Sequence, residues 1–361
     1  MHFSKNVDEK VLIVSHNFNP GHYSHLIASY KLFEEGGVYP ELLVHNKYNK
    51  MDKLNEFKKI NSLVELKKIK SVTTVLIWFP SFLNLIDIFL FALFRKITVI
   101  YVFHEPFDSL INYYNSGFGI LKILKIILID IINRITTANV DKVILPSLKA
   151  FNTFKSNYRS LNENFVYEPL LFDDENVEPI EIEDKNCISY IGTIAKDHAF
   201  DKFVFLIDFA LQNNWFPGYN FVIATKNVIP SKERSILIKH QGNKRLIIQE
   251  GEILNNQKIN KFYSISLIVW NAYYRSMQSG VLPKAYMFGA AVIALEKNKN
   301  EFIDNNETGI LISNEWNLEE IKIAISNIIR NKDFMSKKSR NKFLSTFYYK
   351  NNLRSKIKNF R

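Results

Sequence analysis

The 361-residue sequence has little of several features that mark particular protein classes. It has one cysteine, Cys187, which excludes a disulfide framework and a cysteine-based metal centre. No G-x-G-x-x-G motif of the dehydrogenase type follows a strand-like run, and no stretch reaches the ~20 apolar residues that span a bilayer. The first residues, MHFSKNVDEK, lack the order of a secretory signal, so we expect a cytoplasmic protein.

Positive charge is in excess, with 47 Lys+Arg, 36 Asp+Glu and a net charge of +11. This balance favours an anionic partner such as a nucleotide, a membrane surface or a nucleic acid. Solvated surface lysines are the alternative in Asn/Lys-rich segments such as residues 46–59. Because the sequence contains no zinc-finger, helix-turn-helix or RNP-like motif, we expect no nucleic-acid partner.

Short apolar runs alternate with helical patterns along the chain, which predicts parallel βαβ units in an α/β protein. The acidic segment 168–185 has little periodicity and is the best boundary between two halves. We predict domains at 1–170 and 184–340, and a basic C-terminal helix at 341–361 that can pack back on the first domain. The predicted strands are 10–15, 41–44, 75–79, 98–103, 142–146, 187–191, 220–224, 246–249, 267–270, 291–295 and 310–312, and the predicted helices include 26–33, 54–69 and 318–330.

Ligands of open α/β sheets bind beyond the carboxyl ends of the strands, so the loops there are the candidates. In the first half, Gly21 and His22 follow the first strand and are predicted to line a substrate. His104 and Glu105 follow the strand 98–103 directly, where such a pair can bind hydroxyl groups or carry a proton. A plain turn is the alternative for that pair. A metal site at the histidines after the first strand is disfavoured, because no carboxylate or cysteine accompanies them.

In the second half, the segment SMQSGVLPKAYMFGAAVIA (residues 276–294) follows a strand-like run. Its Ser279-Gly280 turn precedes a helical pattern, and a helix N-terminus with free N–H groups attracts anions. Lys284 adds a positive charge, so the segment predicts a cradle for a diphosphate. An ordinary βαβ turn is the alternative. Further cations that can meet such a ligand follow the strand 187–191: Lys196 and Lys202.

Five segments carry a resemblance to a known family: YVFHEP (101–106), SYIGTIAKDHAFDKF (189–203), QEGEILNNQKINKFYSISLIVWNAY (249–273), SGVLPKAYMFGAAVIA (279–294) and NKNEFIDNNETGILI (298–312). They resemble a GT-B glycosyltransferase, most closely glycosyltransferase family 4 of the bacterial polysaccharide type. The resemblance implies two Rossmann-like parallel-sheet domains that face each other across a cleft.

The resemblance also implies a function: transfer of a sugar from a UDP- or GDP-linked donor to a glycan or polyprenyl-linked acceptor, in the synthesis of capsule, O-antigen or exopolysaccharide. His104 and Glu105 would be catalytic, and Gly21 and His22 would lie in an acceptor-side loop. Retention of configuration is expected, with no cofactor and no metal, since no Asp-x-Asp motif ends a strand. The implied donor-binding residues are Gly192, Thr193, Lys196, Lys202, Asn271, Ser279, Gly280, Val281, Lys284 and Glu301.

One family feature is missing, because the two glutamates usually separated by seven residues correspond here to Ser276 and Lys284. A non-catalytic GT-B-like binding protein and a nucleotide-sugar epimerase of the same fold are therefore the alternatives. The apolar runs 82–94 and 118–134 are broken by charges. They are either buried helices or a face that lies on the inner surface of the cell membrane.

Overall fold

The chain forms two compact units in the computed structural model. The first unit comprises Met1–Asp173 with Phe347–Arg361, and the second comprises Asp174–Thr346. The helix predicted at 54–69 and the motif position Ser276 lie outside the described residues. The described residues are 9–50, 72–92, 97–275, 277, 279–351 and 353–361.

The first unit is built on a parallel sheet in which the described strands have the order β2-β1-β3-β4-β5-β6. The inner strands are short apolar runs that are buried on both faces, as parallel sheets require. The strands are β1 Lys10–Ser15, β2 Tyr39–Val44, β3 Val72–Trp78, β4 Thr98–Val102, β5 Lys142–Leu145 and β6 Phe165–Tyr167. The helices are α1 Tyr23–Glu35, α2 Leu83–Ala92, α3 Leu110–Asn115, α4 Ile120–Ala138 and α5 Leu148–Asn157.

The second unit has a parallel sheet of order β12-β11-β10-β7-β8-β9. Its core fills both sides of the sheet and includes Trp270, Phe203 and Ile325. The strands are β7 Cys187–Ile191, β8 Asn220–Ala224, β9 Leu246–Gln249, β10 Ser266–Trp270, β11 Ala291–Leu295 and β12 Gly309–Ile312. The helices are α6 Phe200–Gln212, α7 Ser231–Ile238, α8 Asn256–Ile265, α9 Val281–Met287, α10 Leu318–Arg330 and α11 Lys332–Lys342.

The C-terminal residues belong to the first unit. Helix α12 (Leu353–Asn359) packs against α1. Tyr349 donates a hydrogen bond of 2.5 Å to Glu35 Oε1, and Lys350 Nζ lies 3.0 Å from the same oxygen. These contacts fix the end of the chain on the unit in which it begins.

The predicted strands all form, and most differ from the structure by two residues or fewer at an end. The prediction missed β6, which has three half-buried residues and lies at the edge of its sheet. Among the described residues, the structure contains no helix with both the length and the apolarity to cross a bilayer.

Gly289 ends α9 in the left-handed region, with φ +67. The N–H groups of Gly289 and Ala290 donate to the carbonyl oxygens of Tyr286 and Ala285 at 2.9 and 2.8 Å, which forms a Schellman motif. A Cβ at this position would lie 2.7 Å from Ser336 Oγ. We therefore expect Gly289→Ala to lower the free energy of unfolding by about 2–4 kcal/mol, measured by urea denaturation.

Gly251→Ala is the matched control. Gly251 also has positive φ, +79, but a Cβ there would meet nothing within 4 Å. Its expected loss is about 1 kcal/mol, from backbone strain alone. Equal losses in the two variants would show that the contact with Ser336 contributes nothing.

Candidate functional site

In the first unit, the strand order reverses at β1, which lies between β2 and β3. Ligands of open parallel sheets bind beside such a reversal. The loops that follow β1 and β3 are joined there, because Asn17 Nδ2 donates to the carbonyl oxygen of Pro80 at 2.5 Å. His16 Nε2 lies 2.5 Å from Oδ2 of Asp87, a fully buried carboxylate on α2. This side chain of α2 therefore holds the loop after β1.

Phe79, directly after β3, is the centre of a stack of rings. Its ring centroid lies 3.2 Å from that of His22 and 4.4 Å from that of His104. Phe79 has φ +67, a left-handed conformation that is unusual for a bulky residue. Asn84 Nδ2 on α2 donates to its carbonyl oxygen at 2.8 Å. Strained residues of this kind cluster at functional sites, which makes this loop a candidate.

His104 lies at the end of β4, as predicted from the sequence. Burial, with added repulsion from His25 and His22, holds the pKa of His104 well below its usual value. Its Nε2 is buried and has no hydrogen-bond partner within the described part of the chain. A neutral imidazole with an uncommitted nitrogen can accept or donate one hydrogen bond to a ligand. Glu105, the next residue, is exposed.

The acceptor-side pair Gly21 and His22 lies between β1 and α1. The N–H of Gly21 donates to Asn19 Oδ1 at 3.1 Å, and among the described residues a Cβ at Gly21 would meet this oxygen alone within 4 Å. The backbone is thus open to a ligand at Gly21. The stack through Phe79 brings His22 and His104 to the same place, so the structure joins these two predicted residues.

In the second unit, the strand order reverses where β7 lies beside β10. The loops that follow these strands touch, since the N–H of Tyr274 donates to the carbonyl oxygen of Asp197 at 2.8 Å. The ring of His198 also stacks on that of Tyr273, at 4.1 Å between centroids. The loop after β7 begins at Gly192, whose φ of +139 favours glycine.

The Ser279-Gly280 turn lies against the same loop, because a Cβ on Gly192 would be 3.5 Å from Val281 Cγ2. Ser279 Oγ accepts a hydrogen bond of 3.2 Å from the N–H of Val281. Gly280 has helical angles, and a Cβ on it would meet nothing within 4 Å among the described residues, so this part of the chain leaves space beside it. Asn271 Oδ1, after β10, is buried and has no hydrogen-bond partner among the described residues.

The remaining predicted donor residues have other surroundings. Thr193 is exposed, and its carbonyl oxygen accepts from the hydroxyl group of Tyr190 at 2.7 Å. Lys196 is exposed, and Lys202 Nζ lies 3.7 Å from Oδ2 of the preceding residue, Asp201. Glu301 lies in the turn before β12. Their contact with a donor stays a prediction.

Lys284 is buried in a polar cluster of the second unit. Its Nζ lies 2.7 Å from Glu175 Oε2 and donates to Asn260 Oδ1 and Asn256 Oδ1, at 3.0 and 3.3 Å. Burial alone would raise the pKa of Glu175, but the charge of Lys284 and the hydrogen bonds lower it to about 2. A contact of Lys284 with a diphosphate stays a prediction, and it would require the ammonium group to leave this cluster.

Sequence reasoning missed several residues that shape these loops. Asp87 is the charge that breaks the apolar run 82–94, and a carboxylate in such a run is itself a signal for a buried polar contact. Glu175 was assigned to the linker, and its pairing with Lys284 joins positions far apart in sequence. Phe79 gave no signal, because its left-handed backbone follows from tertiary contacts.

No family model and no curated protein matches the sequence. Solved structures do match it. Sucrose-phosphate synthase from Thermosynechococcus elongatus has a TM-score of 0.71 at 10% identity, over 97% of each chain. A glycosyltransferase from Rickettsia africae has a TM-score of 0.71 at 14% identity, over 98% of each chain. The chain has the GT-B fold.

Anabaena HepE in complex with UDP and glucose is a third neighbour of the same fold, with a TM-score of 0.69 at 10% identity over 97% of this chain and 98% of HepE. The predicted fold class, two Rossmann-like parallel sheets of the GT-B type, is confirmed. Membership of family 4 stays a prediction, since identities this low show the fold alone.

The lowered pKa of His104 predicts a pH dependence of stability. The folded-state pKa lies below the unfolded value of about 6.5, so the unfolded chain binds the extra proton as the pH falls. The free energy of unfolding should therefore decrease below about pH 6.5, by up to about 1.4 kcal/mol per pH unit from this group. His104→Gln should remove that part of the slope in denaturant unfolding at several pH values. An unchanged slope would show that His104 titrates normally.

The cluster of Lys284 and Glu175 predicts a double-mutant cycle. Lys284→Met or Glu175→Gln alone should lower the free energy of unfolding by about 3–5 kcal/mol, because each leaves a buried polar or charged partner. The double variant should lose less than the sum. The contribution of Glu175 is present above pH 4.5 and should be lost as the pH falls towards 2. Additive losses in thermal or urea unfolding would contradict the coupling.

Proposed function

We propose that this chain is a glycosyltransferase that uses a nucleotide-sugar donor. The observation that carries the proposal is the strand reversal in the second unit, where the Ser279-Gly280 turn lies against the loop that begins at Gly192, and Asn271 directly follows β10. Neighbours of the same fold were solved with UDP, with UDP and glucose or with UDP-glucose. A UDP-linked sugar is therefore our first choice of donor, with a GDP-linked sugar second.

The donor diphosphate would lie against the backbone of Gly192 and Gly280. A side chain on Gly280 would fill the open space beside the turn, and this explains why glycine suits that position. The uncommitted Oδ1 of Asn271 can accept a hydrogen bond from a donor hydroxyl or base N–H. Any backbone N–H group that faces the diphosphate would stabilise the charge that develops on it as it leaves.

The reaction breaks the bond between the anomeric carbon of the sugar and the diphosphate oxygen. A new bond forms to an acceptor hydroxyl oxygen, the nucleoside diphosphate leaves, and the hydroxyl proton passes to a base of the protein or to an oxygen of the leaving diphosphate. The neutral imidazole of His104, with Glu105 as the exposed alternative, is our candidate for contacting a reacting hydroxyl on the first unit. We propose a retaining, metal-independent reaction, in line with the resemblance to family 4.

For the acceptor, we propose a glycan or a polyprenyl-linked glycan of bacterial surface polysaccharide synthesis, reached from the cytoplasmic side of the membrane. The support is the same resemblance, together with the net charge of +11, which favours anionic partners.

A non-catalytic protein of the same fold is the second candidate, and one observation favours it. The Lys284 ammonium group is held by Glu175, Asn256 and Asn260. If no other cation contacts a donor phosphate, the second unit has no positive side chain to stabilise a leaving diphosphate.

Calorimetric binding of UDP, GDP, ADP, CMP and dTDP tests the proposal. We expect one nucleoside diphosphate to bind selectively, and Gly280→Leu to weaken it by at least tenfold because the side chain fills the open space beside the turn. Release of the same diphosphate from the matching nucleotide-sugar would then show turnover.

Gly119→Leu is the matched control. Gly119 precedes α4 as Gly280 precedes α9, and in the described part of the chain a Cβ on either glycine meets nothing within 4 Å. This variant should bind the nucleotide as the wild type does. If no nucleotide binds the wild type, the donor site is wrong. If one binds but no sugar is ever transferred or hydrolysed, the non-catalytic candidate is favoured.

A further inference from the structure

Helix α4 is oriented opposite to an ordinary surface helix, which buries its apolar side and exposes its polar side. Its buried residues are all polar: Asp130, Asn133, Thr136 and Thr137. Large apolar residues are exposed on its opposite side, most of them at the spacing of three and four that defines one helical face. These are Ile120, Leu121, Leu124, Leu128, Ile131 and Ile135.

Helix α2 shows the same inversion. Asn84 and Asp87 point inward and are fully buried, beside the core residue Ile88, while other apolar side chains of this helix and of α3 point outward. Both helices pack against α4. The outward set on this side of the molecule consists of Phe82, Leu83, Ile86, Phe89, Leu110, Ile111 and Tyr114. We call these residues, with the six of α4, the apolar face.

The apolar face is too large for an ordinary soluble surface. Its residues are between 42% and 84% exposed, and together they present on the order of 1,000 Å² of largely apolar area. The largest apolar patch on a typical soluble monomer is about 300–600 Å². An exposed area of this size marks a binding surface.

Polar contacts inside the unit hold the helices in this orientation. Asp130 accepts hydrogen bonds from the hydroxyl group of Tyr158 and from Arg134 Nε, the latter at 2.8 Å. Asn133 Oδ1 accepts from the Tyr101 hydroxyl at 2.9 Å. Turning α4 to bury its leucines would break these buried hydrogen bonds, each of which is expensive to lose. The outward position of the apolar residues is thus built into the fold.

The charge around the apolar face is positive. Lys122 and Lys125 of α4 are exposed, whereas the carboxylates carried by these three helices, Asp87 and Asp130, are buried. The first unit has 25 Lys+Arg against 16 Asp+Glu, which gives +9 of the net +11. We propose that the apolar face docks on the surface of an anionic lipid bilayer, with its side chains among the acyl chains and the lysines at the lipid phosphates.

The helix chemistry fits a surface position. Helix α4 has 19 residues, four of them ionisable, so it lies along the interface rather than across the bilayer. Apolar burial and lipid charge act together in such binding, and each lysine near an anionic surface contributes about 1 kcal/mol. The docking needs no donor site. Its use to reach a lipid-linked acceptor rests on the proposed function.

Flotation of the full chain with vesicles tests the docking. We expect binding to phosphatidylcholine vesicles that contain about one third phosphatidylglycerol, and weaker binding to phosphatidylcholine alone. Leu121→Glu with Leu128→Glu should reduce binding more than tenfold. Lys122→Gln with Lys125→Gln should reduce it about 30-fold at low salt and little at high salt.

The control is Val228→Glu with Ile323→Glu, two exposed apolar residues of the second unit, which should bind vesicles as the wild type does. All variants should keep their melting temperature and their nucleotide binding, so that failed docking and a failed donor site are told apart. The fluorescence added by Leu128→Trp should be quenched by brominated lipids, which tests insertion without a destabilising charge.

Unchanged flotation of the Leu121/Leu128 variant would overturn the proposal, and so would vesicle-bound Leu128→Trp chain whose added fluorescence is not quenched. The proposal would also be overturned if the wild type bound neither vesicle type and formed a dimer, while the Leu121/Leu128 variant stayed monomeric. The apolar face would then bind a second copy of the chain.

Discussion

Burial of parallel strands on both faces is the constraint on which this molecule depends. A side chain in an inner strand of either sheet is occupied by packing, so chemistry is placed in the loops beyond the strand ends. In the first unit these are the loops after β1, β3 and β4, and in the second those after β7 and β10. The same constraint explains the glycine at position 192, because the chain must turn there directly after a fully buried strand, with positive φ.

Much of the fold follows from the sequence for the same reason. A strand buried on both sides must be a short apolar run, and Cys187–Ile191 is one that the sequence delimits at both ends. Residues at strand ends follow from the strands, which is why His104 and Gly192 could be placed in advance. The edge strand β6 has a weaker pattern, since half-buried residues need not be apolar.

The side-chain contacts of the sites do not follow in this way. The sequence shows Lys284 as a cation at the start of a helix. It does not show that Lys284 forms an ion pair with Glu175, more than a hundred positions earlier. A buried ammonium group must find an anion nearby, and the identity of that anion depends on how the segment before β7 crosses α8 and α9. Long-range pairing of this kind is fixed by tertiary structure.

Helix α2 connects the two main features of the first unit. Its inner face carries Asn84, which holds Phe79, and Asp87, which contacts His16 in the loop after β1. Asn84 and Asp87 share the inner side of α2 with the core residue Ile88, and the apolar residues Ile86 and Phe89 are exposed on its outer side. A helix that holds a polar loop with its inner side and binds lipid with its outer side needs polar residues inside and apolar residues outside. The polar contacts on the inner side of α2 and the apolar residues on its outer side are therefore two consequences of one arrangement. A membrane that binds the outer side would also stabilise the loop that the inner side holds.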